Sequence, residues 1–343
     1  GIPARLFITA HHLAIDGVSW RPLLEDLETA YRQIQQSQVV SLPPKSSSFK
    51  EWAERLVAFS RTETIAMSAE FWQSAYDGIP NFRAGSAARS VVGSQTITVK
   101  LGVDDTRALL QEVSAAYNTN INDALLTAVT QAFINHSGWN KFAFMLEGHG
   151  REESFIGEID LTRTVGWFTS HYPVSLYLPD GEDPGTALKS VKEQLRRIPD
   201  NGFSYGLLRY LHPDSPFENL AEPDVLFNYL GQFERSLPLS DFYKIIRPLQ
   251  EGYSPRNRRT HPLEINVYVQ ENQLQAEWTF VPQLIEIEFI QGVANSFVTQ
   301  LQKIIAHCLA VDTTEYTRSD FDLVDLDDGQ FDQLADILGN LGD

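Results

Sequence analysis

A chain of 343 residues with 43% hydrophobic and 21% charged residues is long enough for two lobes and ordinary for a soluble globular protein. Its formal charge of −18 excludes nucleic acid, whose phosphates need a basic surface, and disfavours an anionic membrane. A single cysteine, Cys308, excludes an internal disulfide and suits a reducing cytoplasm, and no apolar run nears the roughly 20 residues of a membrane span.

The start Gly1-Ile2-Pro3 has no Met and reads like the interior of a longer protein. The apolar run Leu6-Phe7-Ile8 then leads into His11-His12-Leu13-Ala14-Ile15-Asp16-Gly17, which reads as a strand-to-helix turn. Gly17 permits a tight path there, and Asp16 is near enough to orient the loop or an imidazole. A metal site from His11, His12 and Asp16 is disfavoured, because adjacent histidines in a strand point to opposite faces. A helix follows, with Leu23, Leu24, Leu27, Tyr31 and Ile34 as its stripe and Ser19 as its cap. After a Pro/Ser-rich break, Ser48-Phe49-Lys50-Glu51 predicts a capping box opening a helix through Trp52, Leu56 and Phe59. A further helix carries Phe71, Trp72 and Tyr76 and stops before Gly78 and Pro80, and residues 81–94 read as a linker.

Beyond the linker, Ile97, Val99 and Leu101 alternate as in a strand, with Asp104 or Asp105 capping the next helix. Another helix begins near Asn122. Alternation of Phe142, Phe144 and Leu146 places Ala143, Met145 and Glu147 on the opposite strand face. Strand signals recur at Val174–Leu178, Val225–Leu230, Leu263–Val269 and Leu274–Phe280. Asp183-Pro184 opens a helix, and a long amphipathic one near Ile287 places Cys308 on an apolar stripe as an inert thiol. Residues 319–343 form an acidic tail. Strands and helices in irregular order predict an α/β class with α+β layering.

Two further stretches carry chemistry. In Glu147-Gly148-His149-Gly150-Arg151-Glu152, a carboxylate at a strand mouth is a natural acid or base, and two glycines let the backbone bend around a ligand. The bland alternative is a surface turn with Glu147 paired to Arg151. In Phe227-Asn228-Tyr229-Leu230-Gly231, a buried Asn228 serves as a structural clamp or as a donor to a substrate oxyanion, with Tyr229 on the other face. The aromatic stretch Arg163–Ser170 suits a tunnel wall and a packed loop equally, and His171 reads as a satisfied loop residue. A G-x-S-x-G elbow, a P-loop, a G-x-G-x-x-G and a pantetheine attachment site are all missing from the sequence.

His11 to Trp20 resembles the signature turn of the condensation-domain superfamily of nonribosomal peptide synthetases, which includes chloramphenicol acetyltransferase-like proteins. Glu147–Glu152, Thr164–Thr169, Tyr205–Tyr210 and Phe227–Phe233 resemble its epimerization-domain subfamily motif for motif and in order. The resemblance implies a chloramphenicol acetyltransferase-like, two-lobed, V-shaped sandwich with a tunnel between the lobes and an incomplete first lobe. Residues 1–80 are then the C-terminal part of that lobe, 81–94 the linker, 95–318 the C-terminal lobe and 319–343 a tail.

The reaction implied is L-to-D epimerization of an aminoacyl or peptidyl residue held as a thioester, by removal and return of its α-proton. His12 and Glu147 take the acid–base roles, and Asn228 with Tyr229 attends the thioester oxygen. His11, Asp16, Gly17, His149 and Arg151 are structural or orienting, with Asp16 in a salt bridge. No cofactor is bound covalently. A phosphopantetheine arm comes from a carrier-protein partner, and neighbouring synthetase modules are the other partners. Rival readings are an amide-forming condensation domain using His12, and a non-catalytic fragment that docks carrier proteins.

Overall fold

The computed structural model describes residues 6–74, 93–178, 183–215, 217, 222–232, 254 and 257–321. The expected linker lies outside the described residues except for Gly93 and Ser94, as do Tyr76, Gly78, Pro80 and the tail beyond Phe321.

Six strands form one sheet: β1 (Gln95–Lys100), β2 (Lys141–Gly148), β3 (Ser170–Tyr177), β4 (Val225–Gln232), β5 (Leu263–Gln270) and β6 (Gln273–Phe280). Their order is β1-β6-β5-β4-β2-β3. Strand β4 runs parallel to both of its neighbours, β2 and β5, and the other pairs are antiparallel. The β5–β6 hairpin closes on Glu271 and Asn272, both with positive φ, as a two-residue turn that matches the twist of its strands.

The helices are α1 (Trp20–Gln35), α2 (Phe49–Phe59), α3 (Glu63–Met67), α4 (Ala69–Ser74), α5 (Val103–Gln111), α6 (Val113–Tyr117), α7 (Ile121–Ser137), α8 (Glu153–Ile156), α9 (Pro184–Arg196), α10 (Phe203–Gly206) and α11 (Ile287–Leu309). Among the described residues, no helix is long and apolar enough to cross a membrane.

Two-residue periodicity decides which face of the sheet is buried. Phe142, Phe144, Leu146, Val225, Phe227, Ile265, Val267 and Trp278 pack with residues of α5, α6, α7, α9 and α11 in the main core. Glu147 therefore lies on the opposite face of β2, as the alternation predicts. A second cluster joins Trp52, Ile65 and Trp72 of α2–α4 to Leu161, Phe168, Phe203 and Tyr205. Trp72 donates its indole N–H to Ser204 Oγ at 3.0 Å, which satisfies a buried donor that the cluster would otherwise strand.

The caps divide into those predicted correctly and those displaced. Asp183 accepts from Thr186 N at the start of α9, and Ser48 accepts from Glu51 N at the start of α2. Glu51 turns to Arg55 rather than back to Ser48, so only half of that capping box forms. Helix α5 starts after Gly102 with Asp104 and Asp105 inside its first turn, neither acting as cap. Ser19 precedes α1 but makes no cap hydrogen bond, because its hydroxyl is taken by a buried network around Asp16.

Two expectations near the start of the chain are corrected. Residues 6–11 are not a strand, since no strand lies beside them among the described residues, and Leu6, Phe7 and Ile8 are exposed. The stripe Leu23, Leu27, Tyr31 and Ile34 on α1 is exposed as well, so amphipathic periodicity predicted the helix but not its burial. At the other end, the first residues of the predicted tail are docked. Lys192 donates to Asp320 at 2.6 Å, with both side chains buried.

Candidate active site

The His turn is fixed from beneath by Asp16, whose side chain is 4% exposed. Its carboxylate accepts from Ser19 N at 2.8 Å, Ser19 Oγ at 2.7 Å, Phe168 N at 3.3 Å and Arg151 Nη2 at 3.2 Å. Asp16 thus is the salt-bridged residue expected, and Arg151 is its partner. Arg151 also donates through Nη1 to the carbonyls of Leu161 and Thr164 and stacks 3.9 Å above the Phe168 ring. A planar guanidinium can do all of this at once, whereas an ammonium cannot. This pairing replaces the surface turn in which Glu147 would meet Arg151.

Glycine is demanded at position 150 and not at 17. Gly150 has φ +65°, and a Cβ there would sit 1.6 Å from the Phe168 carbonyl oxygen, so the residue serves loop packing. Gly17 lies outside the left-handed region with open space around it, so the turn does not need a glycine for its path.

His12 is exposed at the tip of the turn, with its ring centroid 6.0 Å from that of Trp167. Its Nδ1 lies 2.9 Å from the Ile15 carbonyl. A carbonyl only accepts, so Nδ1 is the donor, and Nε2 is the nitrogen left for another partner. His11 turns back on the chain and accepts from Leu13 N at 3.1 Å through Nδ1. His149 accepts from Arg151 N at 3.0 Å and shapes the turn after β2. In the aromatic loop, Phe168 is packed while Val165 and Trp167 are exposed.

Glu147 is held from both flanking strands. Its register partner on β3 is His171, whose Nε2 lies 3.1 Å from Oε1. Asn228 on β4 donates through Nδ2 to Oε2. His171 is therefore a strand residue engaged with the candidate carboxylate, not a loop residue. Strand register, which no local pattern reveals, is what brings it there. The same row continues across the sheet through Asn266 of β5, Glu277 of β6 and Thr98 of β1. Two residues before Asn266 and on the same face of β5, Glu264 is salt-bridged to Arg259. Burial pushes the Glu264 carboxyl up, Arg259 opposes this, and the nearby Glu147 charge adds to the rise.

Tyr229 lies on the other face of β4 from Asn228 and packs against the main core, where burial raises its hydroxyl pKa. The structure thus gathers Glu147, Asn228 and the unforeseen His171, and it places Tyr229 apart from them. His12 and Glu147 share no hydrogen bond or salt bridge among the described residues. They belong instead to two segments clamped together by Asp16 and Arg151.

Residues 3–326 match the family described as the condensation domain. The chain is 42% identical over 348 residues to chondramide synthase of Chondromyces crocatus, spanning 98% of this chain and 9% of that protein. It is 35% identical over 352 residues to gramicidin S synthase 1 of Brevibacillus brevis, spanning 98% of this chain and 32% of that protein. These curated relatives are far longer than the stretch that matches. The solved epimerization domain from the third module of tyrocidine synthetase B superposes with a TM-score of 0.77 at 34% identity, covering 88% of this chain and 69% of that one. The first condensation domain of the calcium-dependent antibiotic synthetase, solved with a substrate analogue, superposes at 0.62 with 16% identity, covering 88% and 64%. At that identity the second likeness concerns the fold alone.

Proposed function

The chain belongs to the condensation-domain family, with the chloramphenicol acetyltransferase-like fold and relatives among nonribosomal peptide synthetases, and from that premise we propose that it epimerizes the α-carbon of an aminoacyl or peptidyl residue from L to D. The substrate is held as a thioester on the phosphopantetheine arm of a carrier protein. The observation that carries this reading is the Glu147 carboxylate, held at both oxygens by His171 and Asn228 on the polar face of the sheet. The 34% identity to a solved epimerization domain supports the same choice.

The α-carbon of a thioester is a weak acid, so the reaction needs a base, an acid and stabilisation of the enolate. In the proposed sequence the α-carbon–hydrogen bond breaks and its electron pair moves onto the thioester carbonyl. The proton passes to one of the groups Glu147 and His12. A proton is then returned to the opposite face from the other, which enters the cycle protonated; the C–H bond re-forms, and proton exchange with water resets both groups. Because Nδ1 of His12 is held by the Ile15 carbonyl, Nε2 is the nitrogen through which a proton would be taken or returned. Asn228 spends one amide hydrogen on Glu147 and keeps the second for the substrate oxygen. One such donor is worth roughly 3 kcal/mol at the transition state. Tyr229, on the far face, takes no part in this scheme.

The test is α-proton exchange on the full-length protein in deuterium oxide, using L-aminoacyl and dipeptidyl thioesters loaded on a carrier protein. Deuterium enters the α-position together with inversion, and both fall on the order of 10²- to 10⁴-fold in Glu147→Gln and His12→Ala. An amide product from two loaded carriers with no α-exchange establishes the condensation reading instead. Carrier binding with neither reaction leaves a docking function.

A further inference from the structure

The geometry points to His171 as a positioning residue for Glu147, one that fixes the carboxylate and makes its basicity depend on a second ionisable group. This rests on the epimerase reading of Glu147 given above. Glu147 and His171 are direct cross-strand partners, so backbone register alone sets their side chains side by side. With Nε2 on Oε1 and the Asn228 amide on Oε2, the carboxylate is gripped from both flanks. Its plane cannot rotate without breaking one of these bonds, while each oxygen keeps a second lone pair for a substrate proton.

The two holders differ in one property: an amide does not titrate, and an imidazole does. With neutral His171 donating through Nε2, the carboxylate is a stronger base than it would be beside an imidazolium. With an imidazolium at 3.1 Å, a positive charge stabilises the carboxylate and weakens it as a base. The His171 side chain is 38% exposed and Glu147 24%, so the imidazole can exchange protons with water while the carboxylate stays sheltered.

Among the described residues, no other charged contact competes for the ring. From β2 it faces Glu147, and β4 offers the uncharged Asn228. Glu264 of β5 acts on Glu147 through space while bonded to Arg259. The turn packed on β3 carries Asp200, and Tyr205 of α10 accepts from Arg209. On α9, Lys192 and Glu193 are engaged by Asp320 and Ser319.

The experiment compares wild type, His171→Gln and His171→Leu in the full-length protein, following inversion and α-deuterium uptake on the same carrier-bound thioesters across pH. Leu removes the grip, and kcat should fall on the order of 10- to 100-fold with KM within about twofold. Gln restores a donor without a charge, so kcat should recover to within about threefold. The acid limb of its kcat profile should move to lower pH than in wild type. An unchanged pH profile in His171→Gln, or an unchanged kcat in His171→Leu, overturns the proposal, and so does a Gln variant as impaired as the Leu one. If His171→Leu fails to fold, the Gln profile decides alone. Glu147→Gln run in parallel separates the two levels. Exchange that survives that substitution removes Glu147 from the chemistry and His171 with it, whereas wild-type protein that shows no α-exchange defeats the epimerase reading itself.

Discussion

Arg151 donates to Asp16 at 3.2 Å across 135 residues of sequence, and through this contact the Glu147 segment fixes the His12 segment. Each end of the bridge lies four residues beyond a proposed proton-transfer group. The two halves of the site are therefore joined by a buried ion pair and the hydrogen bonds that Asp16 and Ser19 make to Gly166 and Phe168, rather than by a shared strand or helix. Both side chains are nearly dry, at 11% and 4% exposure, so removing one partner leaves the other as an uncompensated buried charge. Arg151→Met should cost about 3–5 kcal/mol by that argument. Arg151→Lys keeps the charge but loses the forked bonds to Leu161 and Thr164, and should cost less than Met while still impairing turnover. Thermal melts beside exchange rates check both. A Lys variant with wild-type rates would show that the charge alone matters.

The two glycines nearest these groups should respond in opposite ways. Gly150→Ala puts a methyl into the Phe168 carbonyl at a left-handed φ, so its melting temperature should fall steeply, by the equivalent of about 2 kcal/mol or more. Gly17→Ala meets open space and needs no left-handed backbone, so stability should stay within about 0.5 kcal/mol. If Gly17→Ala leaves stability intact yet lowers turnover, the empty volume beside it is space the substrate uses.

What could be read from the sequence follows from what is local. The alternation Phe142, Phe144, Leu146 put Glu147 on the correct face because these three residues, and not Ala143 or Met145, join the core formed with the helices. Asp183 was a recognisable cap because its partner, Thr186 N, is three residues away. Ser19 looked like the same device, but its hydroxyl serves Asp16 and Gly166, and that second partner is 147 residues away. His171 was missed for a related reason. Its link to Glu147 arises from the β2–β3 register, which depends on where the connection between the strands ends, not on residues near either side chain. The α1 stripe misled in the opposite direction, since periodicity reports what a helix could bury and not what covers it.

Cys308 should be unreactive in the folded chain. It is buried on the inner face of α11, and burial pushes its thiol up to about 11, so almost none is thiolate near pH 8. Iodoacetamide at about pH 8 should label it only after denaturation. Labelling of native protein at the rate of an exposed thiol would mean that α11 opens readily from the main core.

The Lys192–Asp320 pair gives a prediction with a definite pH sign. Burial raises the Asp320 carboxyl, but hydrogen bonds from Lys192, Thr317 N and Asn118 outweigh it and hold the carboxyl below its ordinary value. A carboxyl lowered on folding stabilises the native state above its unfolded value of about 3.9, and that contribution disappears as pH falls through the folded value. Asp320→Asn leaves Lys192 buried at 1% exposure without a charge partner, and should cost about 3–5 kcal/mol at neutral pH. The gap in melting temperature between wild type and this variant should hold steady from pH 7 to about 4 and shrink only in stronger acid. A gap that already closes between about pH 7 and 5 would mean that a group other than Asp320 anchors residues 318–321 to α9.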